Sequence, residues 1–202
     1  MERRESVAGV VLAAGTSSRM GRNKLLLDVG GQSVLRRAVR TAIDAALEPV
    51  LVVVGHESER ARSELAELPC EWVLNAGYQE GIHSSVRTGI AAVPERCAAA
   101  VVMLADMPLV DAEMVRTLVR RYLADRPPLV VSDYEGVDAP PILYDRSLFP
   151  ELAVLEGEGC GRRVVKLHSA EAIRIRWPTR ALIDLDRPDD LERIREELGG
   201  KR

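Results

Sequence analysis

The chain has 202 residues, with 28 Lys and Arg against 31 Asp and Glu and a formal net charge of −3. That balance leaves no basic footprint for DNA or RNA, and aromatics at 3% supply no stock of rings for base-stacking platforms. Hydrophobic residues at 47% can fill one compact core, yet no apolar run reaches the roughly 18 residues of a membrane span.

The apolar run Val7-Ala8-Gly9-Val10-Val11-Leu12-Ala13 reads as a buried strand, and it breaks directly into Ala14-Gly15-Thr16-Ser17-Ser18-Arg19-Met20-Gly21-Arg22-Asn23-Lys24. Gly lets the backbone approach an anion, free N–H groups point at it, and Arg and Lys neutralise charge that backbone dipoles cannot. Such a loop suits a polyphosphate, the alternative being an ordinary connection with solvated charges. A Walker A loop is excluded because Lys24 follows Asn23 and precedes Leu25. The dinucleotide pattern is excluded because Gly15 and Gly21 stand six positions apart.

Beyond the loop, helical spacing over Val34 to Leu47 predicts a helix stopped by Pro49. A strand Val50 to Val54 then ends in Gly55-His56. A helix from Glu57 to Ala66, a strand Glu71 to Leu74 and a helix Ser84 to Val93 follow. The run Ala98 to Leu104 reads as a fully buried strand, and it ends in Ala105-Asp106-Met107-Pro108. Asp111 to Ala124 is again helical, and Pro127-Pro128 opens a strand at Leu129 to Val131. The last third is less regular, with a hairpin across Asp133 to Tyr144 and helices near Leu148 and Arg163. Strand–helix alternation of this kind predicts an α/β fold: a three-layer α/β/α arrangement on a mostly parallel, twisted sheet. Right-handed crossovers place the loops at Ala14, Gly55, Asn75 and Asp106 along one edge. No internal repeat or linker divides the chain, so residues 1–202 are expected to form a single domain.

A carboxylate at the tip of a central parallel strand sits in the crevice where α/β sheets bind ligands, which makes Asp106 a candidate. Near the end, Asp184 and Asp186 alternate with apolar residues in Leu182-Ile183-Asp184-Leu185-Asp186, so both face one side of an extended segment. Pro188 and Asp189 read as helix-entry chemistry. Taken singly, each carboxylate is an ordinary structural residue; beside a phosphate loop, the three form a divalent-cation site. Cys70, Cys97 and Cys160 are odd in number and scattered, without C-x-x-C spacing. With the charged start Met1 to Ser6 offering no signal peptide, reduced thiols in the cytoplasm are expected, and zinc is not.

Four stretches resemble the MobA-like nucleotidyltransferases, and within them the molybdenum cofactor cytidylyltransferases. They are Leu12-Ala13-Ala14-Gly15 through Ser18-Arg19-Met20-Gly21 to Lys24-Leu25-Leu26; Leu104-Ala105-Asp106-Met107-Pro108; Asn75-Ala76-Gly77 through Gly81-Ile82-His83-Ser84-Ser85; and Asp184-Leu185-Asp186-Arg187-Pro188. The resemblance implies the nucleotide-diphospho-sugar transferase type of Rossmann-like fold. It also implies transfer of a nucleotidyl group, CMP from CTP, to a phosphate-bearing acceptor such as molybdopterin, with loss of pyrophosphate. Arg19, Lys24 and Asp106 are then the catalytic set. Leu12, Ala13, Ala14, Gly15, Arg19, Lys24, Asn75, Gly81, Ser85 and Asp106 hold the nucleotide, and Asp106 with Asp186 or Asp184 holds Mg²⁺, or Mn²⁺ in its place. Ala14 stands where guanylyl-transferring members carry a second Gly, which favours CTP over GTP, although one methyl discriminates modestly.

On the acceptor side the chain departs from the family pattern. Cys160 replaces a cation within Gly157 to Arg163, and Arg187 replaces Thr before Pro188. Arg162 and Arg163 are candidates for an acceptor phosphate, set against plain solvent exposure, and His83 is weighed the same way. The alternatives are a guanylyltransferase, a sugar- or small-phosphate nucleotidylyltransferase, and a non-catalytic nucleotide-binding chaperone that loads a molybdoenzyme. The expected partners are a nucleoside triphosphate, a phosphate-bearing small molecule and a molybdoenzyme or its chaperone, with neither nucleic acid nor membrane among them.

Overall fold

The computed structural model describes residues 6–16, 23–157 and 161–199. Its centre is a seven-stranded sheet of β1 (Ser6–Ala13), β2 (Val50–Val54), β3 (Glu71–Leu74), β4 (Cys97–Leu104), β5 (Leu129–Tyr134), β6 (Val137–Asp145) and β7 (Ile173–Arg176). The spatial order is β3-β2-β1-β4-β6-β5-β7. β6 is antiparallel to both neighbours, and the remaining pairs are parallel. The mostly parallel α/β sheet read from the sequence is therefore present.

Helices cover both faces, which is why the central strands are apolar without interruption. Val7, Val11 and Ala13 of β1 face a core shared with α1 (Val34–Asp44), α2 (Ser58–Leu65), α4 (Ala112–Asp125) and α7 (Pro188–Gly199). Ala8, Val10 and Leu12 face a second core built with α3 (Ile82–Ala91), α5 (Phe149–Ala153) and α6 (Arg162–Leu167). Each large aliphatic side chain buried this way contributes about 1.5–3 kcal/mol. Gly89 lets α3 lie close on the sheet, because a Cβ there would run into Val10 and Val53. The chain moves outward through β1, β2 and β3, then returns through α3 on the opposite face to lay β4 beside β1. That reversal opens a crevice between the tips of β1 and β4, the usual ligand position in such sheets.

Element boundaries differ from the spacing-based reading in instructive ways. α1 ends at Asp44, short of Leu47, because Ala46 turns left-handed (φ 60°) and seats the buried Leu47 against Gly9. α3 starts at Ile82, before Ser84, since Gly81 (φ 116°) begins the turn and the Ser84 hydroxyl donates to its carbonyl over 2.8 Å. Asp111 precedes α4 as its cap, accepting the Met114 N–H at 3.0 Å. The hairpin turns at Glu135 and Gly136, both with positive φ. β7 has no counterpart in the sequence reading: a four-residue Ile-Arg-Ile-Arg edge strand carries too little periodicity to stand out. Among the described residues, no helix is long and apolar enough to cross a membrane. Cys70 and Cys97 are free thiols, and Cys160 lies outside the described residues.

Candidate active site

Three separate segments meet at the β1–β4 crevice. The first follows β1: Asn23 caps a short 3-10 turn, Lys24–Leu26, by accepting the Leu25 N–H at 3.1 Å, and the buried Leu25 anchors that turn. Lys24 is thereby held toward the crevice. The second is the tip of β4, where the Ala105 N–H donates to the Leu12 carbonyl at 3.1 Å and buried Met107, Leu109 and Val110 hold the following turn. The third is the segment before α7. Its Leu185, fully buried, donates its N–H to the Asp106 carbonyl at 2.9 Å, so Asp184 and Asp186 flank a residue pinned to the β4 tip.

At this junction the Lys24 ammonium donates to Asp106 Oδ2 and to Asp186 Oδ1, each at 2.6 Å. Burial alone would lower the Lys24 pKa, but Asp106 and then Asp186 outweigh it and hold the group above its ordinary value. Lys24 is cationic at neutral pH. Asp184 behaves differently: its carboxyl is pushed above the usual carboxylate range by desolvation, then by the neighbouring charges of Asp186 and Asp106. The two acidic residues offered as alternatives from the sequence, with Asp186 preferred, have different surroundings. Asp186 pairs with Lys24, while Asp184 lines a different cavity. Asp190, at the start of α7, accepts the N–H groups of Asp186 (3.2 Å) and Arg187 (2.8 Å) and so orients that turn.

Two cavities share Ile82 and Leu104 as a common wall. The first, about 340 Å³, is lined by Leu12, Ala13, Ala14, Gly15, Lys24, Gly81, Ser85 and Asp106, all singled out from the sequence. Thr16, Leu25, Tyr78 and Gln79 also line it. Asn75 does not. It is buried under the start of α3, donating to Ser84 Oγ (2.8 Å) and Ser85 Oγ (3.0 Å) and accepting the Gly77 N–H (3.0 Å). Its amide thereby ties the residues after β3 to the first turn of α3.

The second cavity, about 500 Å³, runs beneath β6 and α6. Its walls are apolar at Met107, Pro140, Ile142 and Val165, and its charged groups are Asp138, Arg162, Lys166, Arg174 and Asp184. Arg174 is clasped by Asp138, with Nη2–Oδ2 at 3.0 Å, and donates to Ser169 Oγ at 3.0 Å. Arg162 joins this cavity, whereas Arg163 is not among its lining residues. Lys166 and Arg174 carried no motif, and only the fold brings them to this wall. Arg19, expected among the catalytic residues, lies outside the described residues, as do Ser17, Ser18 and residues 20–22.

Among the described residues, no three His, Cys, Asp or Glu side chains form a group able to hold a metal ion by themselves. Asp106 and Asp186 do offer two hard oxygen donors, Asp106 on the wall of the first cavity and Asp186 joined to it through Lys24. An ion of the Mg²⁺ class is commonly held by one or two carboxylates, with substrate phosphates and waters completing its shell. The donor set fits that use.

The sequence pattern of the MobA-like NTP transferase domain matches residues 9–173. The chain belongs to this nucleotidyltransferase family. It is 31% identical over 202 residues to the purine catabolism protein PucB of Bacillus subtilis, covering 94% of this chain and 96% of that one. A protein of Opitutus terrae named probable molybdenum cofactor guanylyltransferase is 35% identical over 107 residues, about half of either chain (53% and 51%). The crystal structure of Rv0371C of Mycobacterium tuberculosis H37Rv, in complex with manganese, superposes with a TM-score of 0.77. It shares 27% identity over 95% of this chain and 98% of that chain.

Proposed function

We propose that the protein transfers a cytidylyl group from CTP to the phosphate of a small acceptor of the molybdopterin type, releasing pyrophosphate. The observation that carries this reading is that two cavities share Ile82 and Leu104 as a wall, the first lined by Lys24 and Asp106 and the second by Asp184, Arg162 and Lys166. Such a layout lets two anionic substrates approach one phosphorus atom from opposite sides, and phosphoryl chemistry asks for little more than positioning and charge neutralisation.

In this reading the triphosphate lies along the first cavity. Lys24, joined by Arg19, neutralises the departing pyrophosphate. Asp106 and Asp186 would hold Mg²⁺ or Mn²⁺, which supplies charge stabilisation at the substrate phosphates; the manganese complex of the mycobacterial relative is consistent with that. The acceptor lies in the second cavity, its body against Pro140 and Ile142 and its charge near Arg162 and Lys166. Its phosphate is already anionic near neutral pH, so no side-chain nucleophile or general base is needed. Buried Ala14 beside the first cavity favours CTP, and the product is passed to a molybdoenzyme or its chaperone. Transfer of GMP is the second reading, favoured by the name of the Opitutus relative.

The test is pyrophosphate release by the full chain with Mg²⁺, each of CTP and GTP, and either molybdopterin or a panel of sugar phosphates as acceptor, with the product identified by mass. CTP-dependent release supports cytidylyl transfer, and GTP-dependent release replaces it with the second reading. Release with sugar phosphates alone moves the acceptor to another class, and binding without release leaves a chaperone.

A further inference from the structure

Arg87 lines neither cavity, yet it sits on α3, whose first residue, Ile82, belongs to both walls. Its two terminal nitrogens reach in different directions. Nη2 donates to Glu80 Oε2 at 2.9 Å, and Nη1 donates to the Leu155 carbonyl at 3.4 Å.

Each partner belongs to the support of one cavity. Glu80 ends the turn Tyr78–Glu80, and Tyr78, Gln79, Gly81 and Ile82 all line the first cavity while Glu80 does not. Its carboxylate folds back over its own turn instead, into the space that a side chain at Gly77 would take. A Cβ built there would lie 2.7 Å from Glu80 Oε1 and 3.2 Å from its Cδ. The Glu80 N–H, donating to the Gly77 carbonyl at 2.9 Å, closes the same turn. Leu155 stands on the other side, its side chain buried in the core that α3 and α5 share. From there the chain runs on to α6, whose Arg162, Val165 and Lys166 line the second cavity.

An ion pair this accessible, with Arg87 33% and Glu80 56% exposed, adds little to global stability. Its weight falls on local order, where a short turn and the end of a short helix are held to a common point. A planar guanidinium fork can serve both partners at once; the single nitrogen of a lysine cannot stand in both places.

We propose that Arg87 is a positioning residue that holds the nucleotide-side turn and the approach to α6 in one register, so that the two substrates meet in line. This rests on the nucleotidyl-transfer reading and adds to it a tie between the two halves of the site. Arg87 acts through Glu80 and Leu155 and touches neither substrate.

The experiment compares the full chain with Arg87→Ala, Arg87→Lys and Glu80→Ala. Hydrogen exchange of the free proteins is followed in peptides covering residues 78–82 and 152–157. Pyrophosphate release is then measured with Mg²⁺, varying in turn the nucleotide (CTP or GTP) and the acceptor (molybdopterin or a sugar phosphate) that the wild type uses. Arg87→Ala speeds exchange in both segments and raises both KM values about fivefold, with kcat and the unfolding temperature held. Arg87→Lys keeps the pair with Glu80 and gives up Leu155, so only the acceptor KM and the 152–157 exchange move. Glu80→Ala frees the turn and moves only the nucleotide KM and the 78–82 exchange. If Arg87→Ala speeds exchange in only one segment, or lowers kcat or the unfolding temperature with the KM values unmoved, the proposal is overturned and the transfer reading stands. A wild type that releases no pyrophosphate with any of these substrates overturns the transfer reading instead. Exchange in Arg87→Ala then decides alone: faster in both segments sustains the tie, and unchanged in either removes it.

Discussion

The first cavity is walled mainly by the tips of parallel strands β1 and β4, rooted in the doubly covered part of the sheet, with the turn after the edge strand β3 at its side. The second is walled by one antiparallel strand, a six-residue helix and a four-residue edge strand. Long buried strands hold their tips rigidly, so charged groups placed there keep their spacing. Short elements with one solvated side are easier to vary without losing the core. The division suggests a fixed half for nucleotide and chemistry, and an adjustable half for the acceptor.

Breaking the fixed half is expected to have the largest effect. Asp106→Asn keeps the shape of the side chain but removes its charge. Metal-dependent pyrophosphate release should fall on the order of 10³-fold, while the unfolding temperature stays near that of the wild type. Undiminished release would remove Asp106 from the chemistry.

A double change in the adjustable half, Arg162→Ala with Lys166→Ala, should raise the acceptor KM about tenfold and leave the CTP KM unaltered, each carboxylate or phosphate contact there being partly solvated. Parallel movement of both KM values in steady-state assays would erase the proposed division of labour. Asn75→Ala acts on the fixed half from beneath the start of α3. It leaves buried Ser84, Ser85 and Gly77 groups short of a partner, a loss of about 2 kcal/mol. The unfolding temperature should drop by roughly 4–8 °C in scanning calorimetry.

The smallest effect is a pH dependence in the adjustable half. His168, which caps α6, bonds Glu151 of α5 through Nε2 at 2.9 Å, and that bond, against slight desolvation, raises the imidazole above its ordinary pKa. A group raised on folding stabilises fully below its unfolded pKa of about 6.5, and that contribution is lost as pH climbs through the folded value. His168→Gln should flatten the decline in unfolding temperature between about pH 5.5 and about pH 8.5. An identical decline in both proteins would exclude this pair.

The same contrast explains what could be read before any coordinates. Asp106 stood out because a carboxylate at the tip of a long apolar strand conflicts with simple burial, Lys24 because it closes a loop of glycine, hydroxyls and cations, and Asp186 because it alternates with apolar residues. The sheet was legible because strands covered on both faces are uninterrupted stretches of Val, Ala and Leu. Lys166 and Arg174 gave no signal, being ordinary solvent-side residues of a short helix and an edge strand until the chain folds over Ile142. Asn75 was legible through its motif, and only the fold shows that its amide bridges two serines and an N–H.

The hydrogen bond from Leu185 to the Asp106 carbonyl has a practical consequence for how this protein is cut and compared. The recognisable family pattern stops at residue 173, ahead of the residue that completes the acidic pair. A fragment trimmed to that boundary would retain β1 through β6 and the whole loop after β1, yet carry only one carboxylate against Lys24. The tail thus supplies Asp186, and alignments that discard it lose one of the two carboxylates that the Lys24 ammonium bonds.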